Sequence, residues 1–285
     1  MTTHEPSFYH TKNQKNIVIS KDKIEKGDIV IYTNHYFTKI DKKAKLNIAF
    51  LCESYGIHSQ YYKWMKNNYK IFDMILTWNK ELLELDPDYF KMQLYGTTWI
   101  NQKYRKIYEK NKLCSIIVSN KRISEGHKLR HSITDYLIDN KINKVDFFGA
   151  RFNNLPYMNT KPYTMEHSGD HESNQKINGL KDYMFTISIL SAKSDYEFDE
   201  KLLDCFLTRT VPIFWGCPSI GKFFNIKGII VFNTVEECIN ILNNINFEKY
   251  KSMLPYIKEN FEKAKEYTTF SLNEDAIFEL IKRKL

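Results

Sequence analysis

Between Leu180 and Asn233 the chain reads LKDYMFTISILSAKSDYEFDEKLLDCFLTRTVPIFWGCPSIGKFFNIKGIIVFN. An apolar run of strand length is followed by a polar loop and a helix that opens on acidic residues. A second apolar run and a turn holding Gly216 and Pro218 come next. Strand, helix and strand in that order fold as a parallel α/β unit, because two parallel strands need a crossover between them. The loop where the first strand hands over to the helix gathers backbone N–H groups and the positive end of the helix dipole. That is a ready site for a phosphate. Lys201, one residue into the helix, adds a full positive charge where a diphosphate would lie.

The rest of the chain repeats the alternation. GDIVIYTNHYF (27–37), KLNIAFLCES (45–54) and FDMILTW (72–78) are apolar runs of strand length, with helix-compatible spacing over 59–70 between the last two. KELLELDPDYF (80–90) predicts a short helix stopped at Asp86-Pro87, where proline removes a donor and restricts its neighbour. KLCSIIVSN (112–120), a helix over 125–139, VDFFGA (145–150), GIIVFN (228–233) and a helical tail over 235–285 complete the pattern. The charged stretch NQKYRKIYEKNK (101–112) separates two such sets. The expected fold class is α/β: two Rossmann-like domains with a cleft between them. The expected boundaries are 1–104, 105–270, and a C-terminal helix over 271–285 that packs back on the first domain. In open α/β sheets ligands bind beyond the carboxyl ends of the strands, so site residues are expected in the loops that follow strands.

Composition narrows the class. Hydrophobic residues at 42% and aromatics at 15% of 285 residues argue for a folded chain with a sizeable core. No run approaches the roughly 20 apolar residues that span a bilayer, and the first residues lack a signal-peptide core. Five cysteines stand without CxxC or Cys/His spacing, four of them in or beside apolar runs, which predicts buried, reduced thiols in a cytoplasmic protein. The net charge of +8 suits a phosphate-bearing partner, although lysines are spread along the chain among 34 acidic residues. No cluster of Lys and Arg interleaved with aromatics marks a nucleic-acid surface. His167, Asp170 and His171 invite a metal reading, but no further ligand stands at diagnostic spacing, and no metal is expected.

The stretch described first resembles the donor-sugar motif of the α1,3-fucosyltransferases, glycosyltransferase family 10. In that family the run ends in Thr-Glu-Lys, followed some ten residues later by Val-Pro-(Ile/Val)-x-x-Gly. Here Glu200, Lys201 and Val211-Pro212-Ile213-Phe214-Trp215-Gly216 match it. KNKLCSIIVSNKR (110–122) is similar to the family's Lys-x-Lys-x-Cys-x-x-x-Val-Ser-Asn strand, which precedes an arginine that holds the donor's phosphates. Arg130 matches that arginine best, with Arg122 as the fallback. More loosely, residues 72–96 resemble the end of the family's first domain, and the resemblance implies a fold of GT-B type.

The resemblance implies transfer of a sugar, fucose from GDP-fucose, to a hydroxyl of an oligosaccharide or glycolipid acceptor, with inversion at the anomeric carbon. Such chemistry needs a carboxylate to take the acceptor's proton and positive charge to stabilise the departing diphosphate. Lys201 and Arg130 supply the charge without a metal or other cofactor. Glu200 accepts from the ribose hydroxyls, as the family's glutamate does, and Tyr196 joins the donor-binding set. Glu53, at the end of KLNIAFLCE, is the expected base. Ser191 and Glu197 are secondary donor-binding candidates. Six positions depart from the family: Leu190-Ser191-Ala192 replaces Glu-Asn-Ser, Glu197 replaces a tyrosine, Asp199 a threonine and Arg209 a glycine. These leave open an inactive relative that binds nucleotide sugars or glycans, or a transferase using another donor. Any lipid-linked acceptor would be met by peripheral contact only.

Overall fold

The computed structural model describes residues 24, 26–38, 40–94, 96, 98–152, 160–161, 175–268 and 274–284. His167, Asp170 and His171 lie outside them. The chain divides into two compact units. One comprises Met1–Tyr95, Ser194–Glu197 and Thr269–Leu285; the other comprises Gly96–Lys193 and Phe198–Thr268. Among the described residues no helix is long and apolar enough to cross a membrane.

The first unit carries a four-stranded parallel sheet, ordered as in the sequence: β1 (Ile29–Thr33), β2 (Leu46–Phe50), β3 (Met74–Thr77) and β4 (Phe90–Met92). Helix α1 (Tyr55–Asn68) joins β2 to β3, and α2 (Lys80–Leu85) joins β3 to β4. Side chains alternate across a strand, and both faces of this sheet are covered, so Ile48–Phe50 of β2 and Met74–Leu76 of β3 are consecutively apolar rather than apolar at every second residue. Ala49, Leu51 and Ile75 pack on one face with Tyr62 and Met65 of α1 and with Phe37 and Phe72. Ile48, Phe50, Cys52, Met74 and Leu76 pack on the other with Trp78 and with Ile277 of α7 (Glu274–Lys284). Strand β4 has no counterpart in the sequence reading. Three residues are too few to show a period, and pairing with β3 rather than local preference makes it a strand.

The second unit carries six parallel strands in the order β10-β9-β8-β5-β6-β7. These are β5 (Lys112–Ile117), β6 (Val145–Phe148), β7 (Thr160–Lys161), β8 (Tyr183–Ile189), β9 (Val211–Trp215) and β10 (Ile230–Val231). Helices α3 (Glu125–Asp139), α4 (Glu200–Leu207), α5 (Val235–Asn244) and α6 (Phe247–Glu266) accompany them. Every residue of β8 and β9 is buried, as continuous apolar runs in a doubly covered sheet require. Helix α4 buries Leu202, Leu203, Cys205, Phe206 and Leu207. Residues 98–104 stand with this unit: Ile100 and Tyr104 pack against Ile177, Leu180 and Cys205. All five cysteines are buried and free. The α/β class with two parallel sheets, expected from the alternation of strands and helices, is what the chain adopts.

Candidate functional site

Strand β5 pairs with β6 on one side and β8 on the other. The chain runs outward from β5 through β6 to β7, then returns to the far side of β5 for β8, β9 and β10. Strand order reverses between β5 and β8, and the crevice beyond their carboxyl ends is the place where open α/β sheets hold ligands. Both α3 and α4 begin there. Their approach is close: the Gly126 N–H donates to the Ser191 carbonyl at 3.0 Å, and a β-carbon on Gly126 would lie 1.7 Å from the Leu190 carbonyl oxygen. Only glycine lets α3 start so near the end of β8.

Helix α3 opens on a capping box. The Ser124 hydroxyl accepts from the His127 N–H at 3.3 Å, and His127 Nδ1 accepts from the Ser124 N–H at 3.3 Å. Burial pushes His127 down to about 4, and the positive charges of Arg130, Lys201 and Lys121 push in the same direction. One turn on, Arg130 is 5% exposed, and among the described residues its Nε and Nη2 have no hydrogen-bond partner. Burial pulls its guanidinium down, against the opposing pull of Asp199 and Glu200. A buried guanidinium with two idle donors is costly unless something anionic meets it.

Helix α4 brings the opposite wall. Asp199, in extended conformation, caps it by accepting from the Lys201 N–H at 2.9 Å. The Lys201 ammonium lies 2.6 Å from Asp199 Oδ2 and 2.9 Å from Glu200 Oε1. Burial and the Glu200 charge raise Asp199. For Glu200 burial acts upward too, but Lys201 and Lys176 outweigh it and hold this carboxyl well below the usual range. Two like charges on one ammonium are pushed apart in this way.

Lys176 completes the group and was not foreseen. It is 6% exposed, with Nζ 2.6 Å from the fully buried Asp204 and 5.0 Å from the centre of the Trp99 ring. Asp204 Oδ1 also accepts from the Thr98 hydroxyl at 2.5 Å and the Trp99 N–H at 3.1 Å. The signal was Asp204 itself, an acid on the apolar face of a strongly amphipathic helix, which demands a buried cation. Arg130, Lys176 and Lys201 line one cavity of about 30 Å³ with Thr186, Ser188 and Ile189 of β8. Its volume suits one or two water-sized groups, the scale of phosphoryl oxygens.

The structure thus gathers Arg130, Glu200 and Lys201 in the second unit, with Ser191 buried beside Gly126. Arg122 is exposed, and its charge bears on His131 rather than on this cavity. Glu53, Tyr196 and Glu197 belong to the first unit. Glu53 follows β2 as expected and is half-buried; its carbonyl accepts from the Tyr62 hydroxyl at 2.5 Å. Burial, then the charges of Glu197 and Glu53, raise the Tyr62 phenol. Tyr196 sits in the left-handed region (φ 63°) and packs against the cluster around Ile48 and Ile277.

Two parallel α/β sheets, the second holding a basic cavity at its reversal point, define a GT-B-type glycosyltransferase fold. More particularly, the chain is similar to the α1,3-fucosyltransferases. No protein-family profile matches it. It is 30% identical over 80 residues to the α-(1,3)-fucosyltransferase FucT of Helicobacter pylori, covering 26% of this chain and 17% of that one. It is 26% identical over 156 residues to a protein of Acanthamoeba polyphaga mimivirus that bears a provisional fucosyltransferase name, covering 52% of this chain and 26% of that one. The matches thus span well under half the length of either curated relative. A crystal structure of α1,3-fucosyltransferase with GDP has the same fold, at a TM-score of 0.57 and 19% identity. The match covers 94% of this chain and 81% of that one. Another, with GDP-fucose, gives 0.52 and 16%, covering 94% and 93%. The resemblance drawn from the motifs is therefore borne out.

Proposed function

We propose that the chain is an inverting glycosyltransferase that moves fucose from GDP-fucose to a hydroxyl of a glycan acceptor. The observation that carries this reading is Arg130, buried with idle donors and facing one cavity with Lys201 and Lys176 at the start of α4. The likeness in fold to crystal structures of α1,3-fucosyltransferase with GDP and with GDP-fucose supports the choice of donor.

In the proposed reaction the acceptor oxygen bonds to the anomeric carbon as the bond from that carbon to the diphosphate oxygen breaks. The acceptor's proton passes to the Glu53 carboxylate. The diphosphate leaves with its charge met by Arg130, which can grip two oxygens at once, and by Lys201 as a point charge. These cations do the work a metal does in other transferases. Glu200, ionised throughout, accepts from the ribose hydroxyls; Tyr196 and Ser191 border the donor. The first unit receives the acceptor and the second the donor.

The experiment is calorimetric titration and a thermal-shift screen with GDP, UDP and GDP-fucose, followed by a transfer assay on fucosylatable oligosaccharides. A donor at 100 times its dissociation constant stabilises the fold by about 2.7 kcal/mol. Arg130→Ala and Lys201→Ala are expected to weaken donor binding at least about tenfold, a loss of roughly 1.4 kcal/mol. Glu53→Gln spares binding and lowers turnover by about 10²–10⁴. Normal turnover in Glu53→Gln removes it as the base. Donor binding with no transfer to any acceptor favours the alternative of an inactive binding relative, which the apolar Leu190 and Ala192 beside the cavity suit.

A further inference from the structure

We infer that Asp199 sets the affinity of the cavity for a diphosphate, by holding Lys201 in an internal ion pair that an incoming phosphate must break. The inference rests on the donor reading only in taking the cavity as a diphosphate site.

The geometry separates two roles within one side chain. Oδ1 of Asp199 accepts from the Lys201 N–H and caps α4, while Oδ2 takes the Lys201 ammonium at 2.6 Å. Capping needs an oxygen and no charge, and asparagine caps as well as aspartate. The ion pair needs the charge. Glu200 already meets the same ammonium at 2.9 Å, so the second carboxylate is surplus to neutralising it. Its negative charge also bears on Arg130 across the crevice, where two guanidinium nitrogens have no partner among the described residues. A phosphate bound between Arg130 and Lys201 meets repulsion from Asp199 and competes with it for the lysine.

The ion pair is not sealed from water. The side chains of Asp199 and Lys201 are 21% and 28% exposed, so Lys201 can turn from one oxygen to another without leaving a buried charge alone. Lys176, the third cation, is differently placed: its side chain is only 8% exposed and its ammonium is tied to Asp204. Asp199 is therefore the acid whose removal frees a cation for the ligand while leaving the wall intact.

The test is calorimetric titration of the full chain with inorganic pyrophosphate and, separately, GDP-fucose at pH 8, low salt and without divalent metal. Asp199→Asn and Asp199→Thr both keep a capping oxygen, and one serves if the other folds poorly. Each is expected to bind pyrophosphate and GDP-fucose about two- to fivefold more tightly than the unaltered chain, the range for partly exposed ion pairs. The gain should shrink at high salt. In a Lys201→Ala background it should shrink, because the competition for that lysine is gone and only the repulsion remains. Tighter pyrophosphate binding with no binding of any nucleotide sugar upholds the inference and sinks the donor reading. Unchanged or weaker binding in both Asp199 variants overturns the inference whichever ligand binds. So does a gain undiminished by Lys201→Ala, and so does failure of all variants to bind pyrophosphate.

Discussion

His127 and Lys176 show how single side chains carry the cost of a basic site. His127 sits near 4, against 6.5 for a free imidazole, pushed down first by burial and then by its cationic neighbours. Between about pH 6.5 and 4 the unfolded chain binds a proton that the folded chain refuses. Stability therefore falls as pH drops through that window, and the loss is complete below it. His127→Gln keeps a side-chain acceptor for the Ser124 N–H and cannot titrate. Melting temperatures across that range should fall less steeply in this variant, with a residual slope from His131, which burial and Arg151 also lower. An unchanged slope would rule His127 out as the source. For Lys176, replacement by methionine strands Asp204 without a counter-charge and should cost about 3–5 kcal/mol in denaturant unfolding. Pairing it with Asp204→Leu should recover much of that. Lys201 was legible in the sequence because it opens a helix just after an apolar strand, and Arg130 through the resemblance of 110–122 to the fucosyltransferase strand that precedes an arginine. Lys176 was not, because its reason for burial lies on α4, and no local spacing links Gln175–Gly179 to that helix.

At the scale of elements, the caps explain where the helices begin. Helix α3 was foreseen over the residues it occupies, and the structure shows why it starts there, with the Ser124 side chain capping its first turn. Helix α4 was foreseen as well, with Asp199 as cap. Strand β10 shrank from six expected residues (228–233) to Ile230–Val231, because residues 226–228 close a short 3-10 turn whose cap is the Asn225 side chain. The crowding of α3 on β8 could not be seen at all: a glycine near a helix start has many uses, and only the fold shows Leu190 behind it. Gly126→Ala places a methyl against backbone that cannot yield. It should destabilise by about 2–3 kcal/mol, or prevent folding, and any variant that folds should lose donor affinity as α3 tilts. A stable Gly126→Ala protein with full donor affinity would refute the rigidity of that wall.

At the scale of the whole molecule, the division into a first unit of Met1–Tyr95, Ser194–Glu197 and Thr269–Leu285 and a second of the rest makes two cores from a chain that passes between them more than once. Ile277, 3% exposed, belongs to the first core although it lies near the end of the sequence. Ile277→Ala should cost about 2–5 kcal/mol in the unfolding of the first unit. Where the two units melt separately, calorimetry should show only one transition shifted; a shift of the second unit's transition alone would contradict the assignment. The sequence showed the tail over 235–285 as helical, and the expectation that its last helix packs on the first domain came from the architecture, because many apolar surfaces satisfy one helical stripe.

That late helix gives the molecule a peculiar history in the cell. Strands β2 and β3 leave the ribosome early, yet the helix carrying Ile277 emerges some 200 residues later than Leu76. At roughly 5–20 residues per second, the delay is on the order of ten to forty seconds. For that interval the first unit holds a greasy sheet face open to its neighbours on the polysome. Chaperone occupancy should concentrate on nascent chains that have passed β3 but not yet released α7, so that the first unit completes its core only after the second has been made.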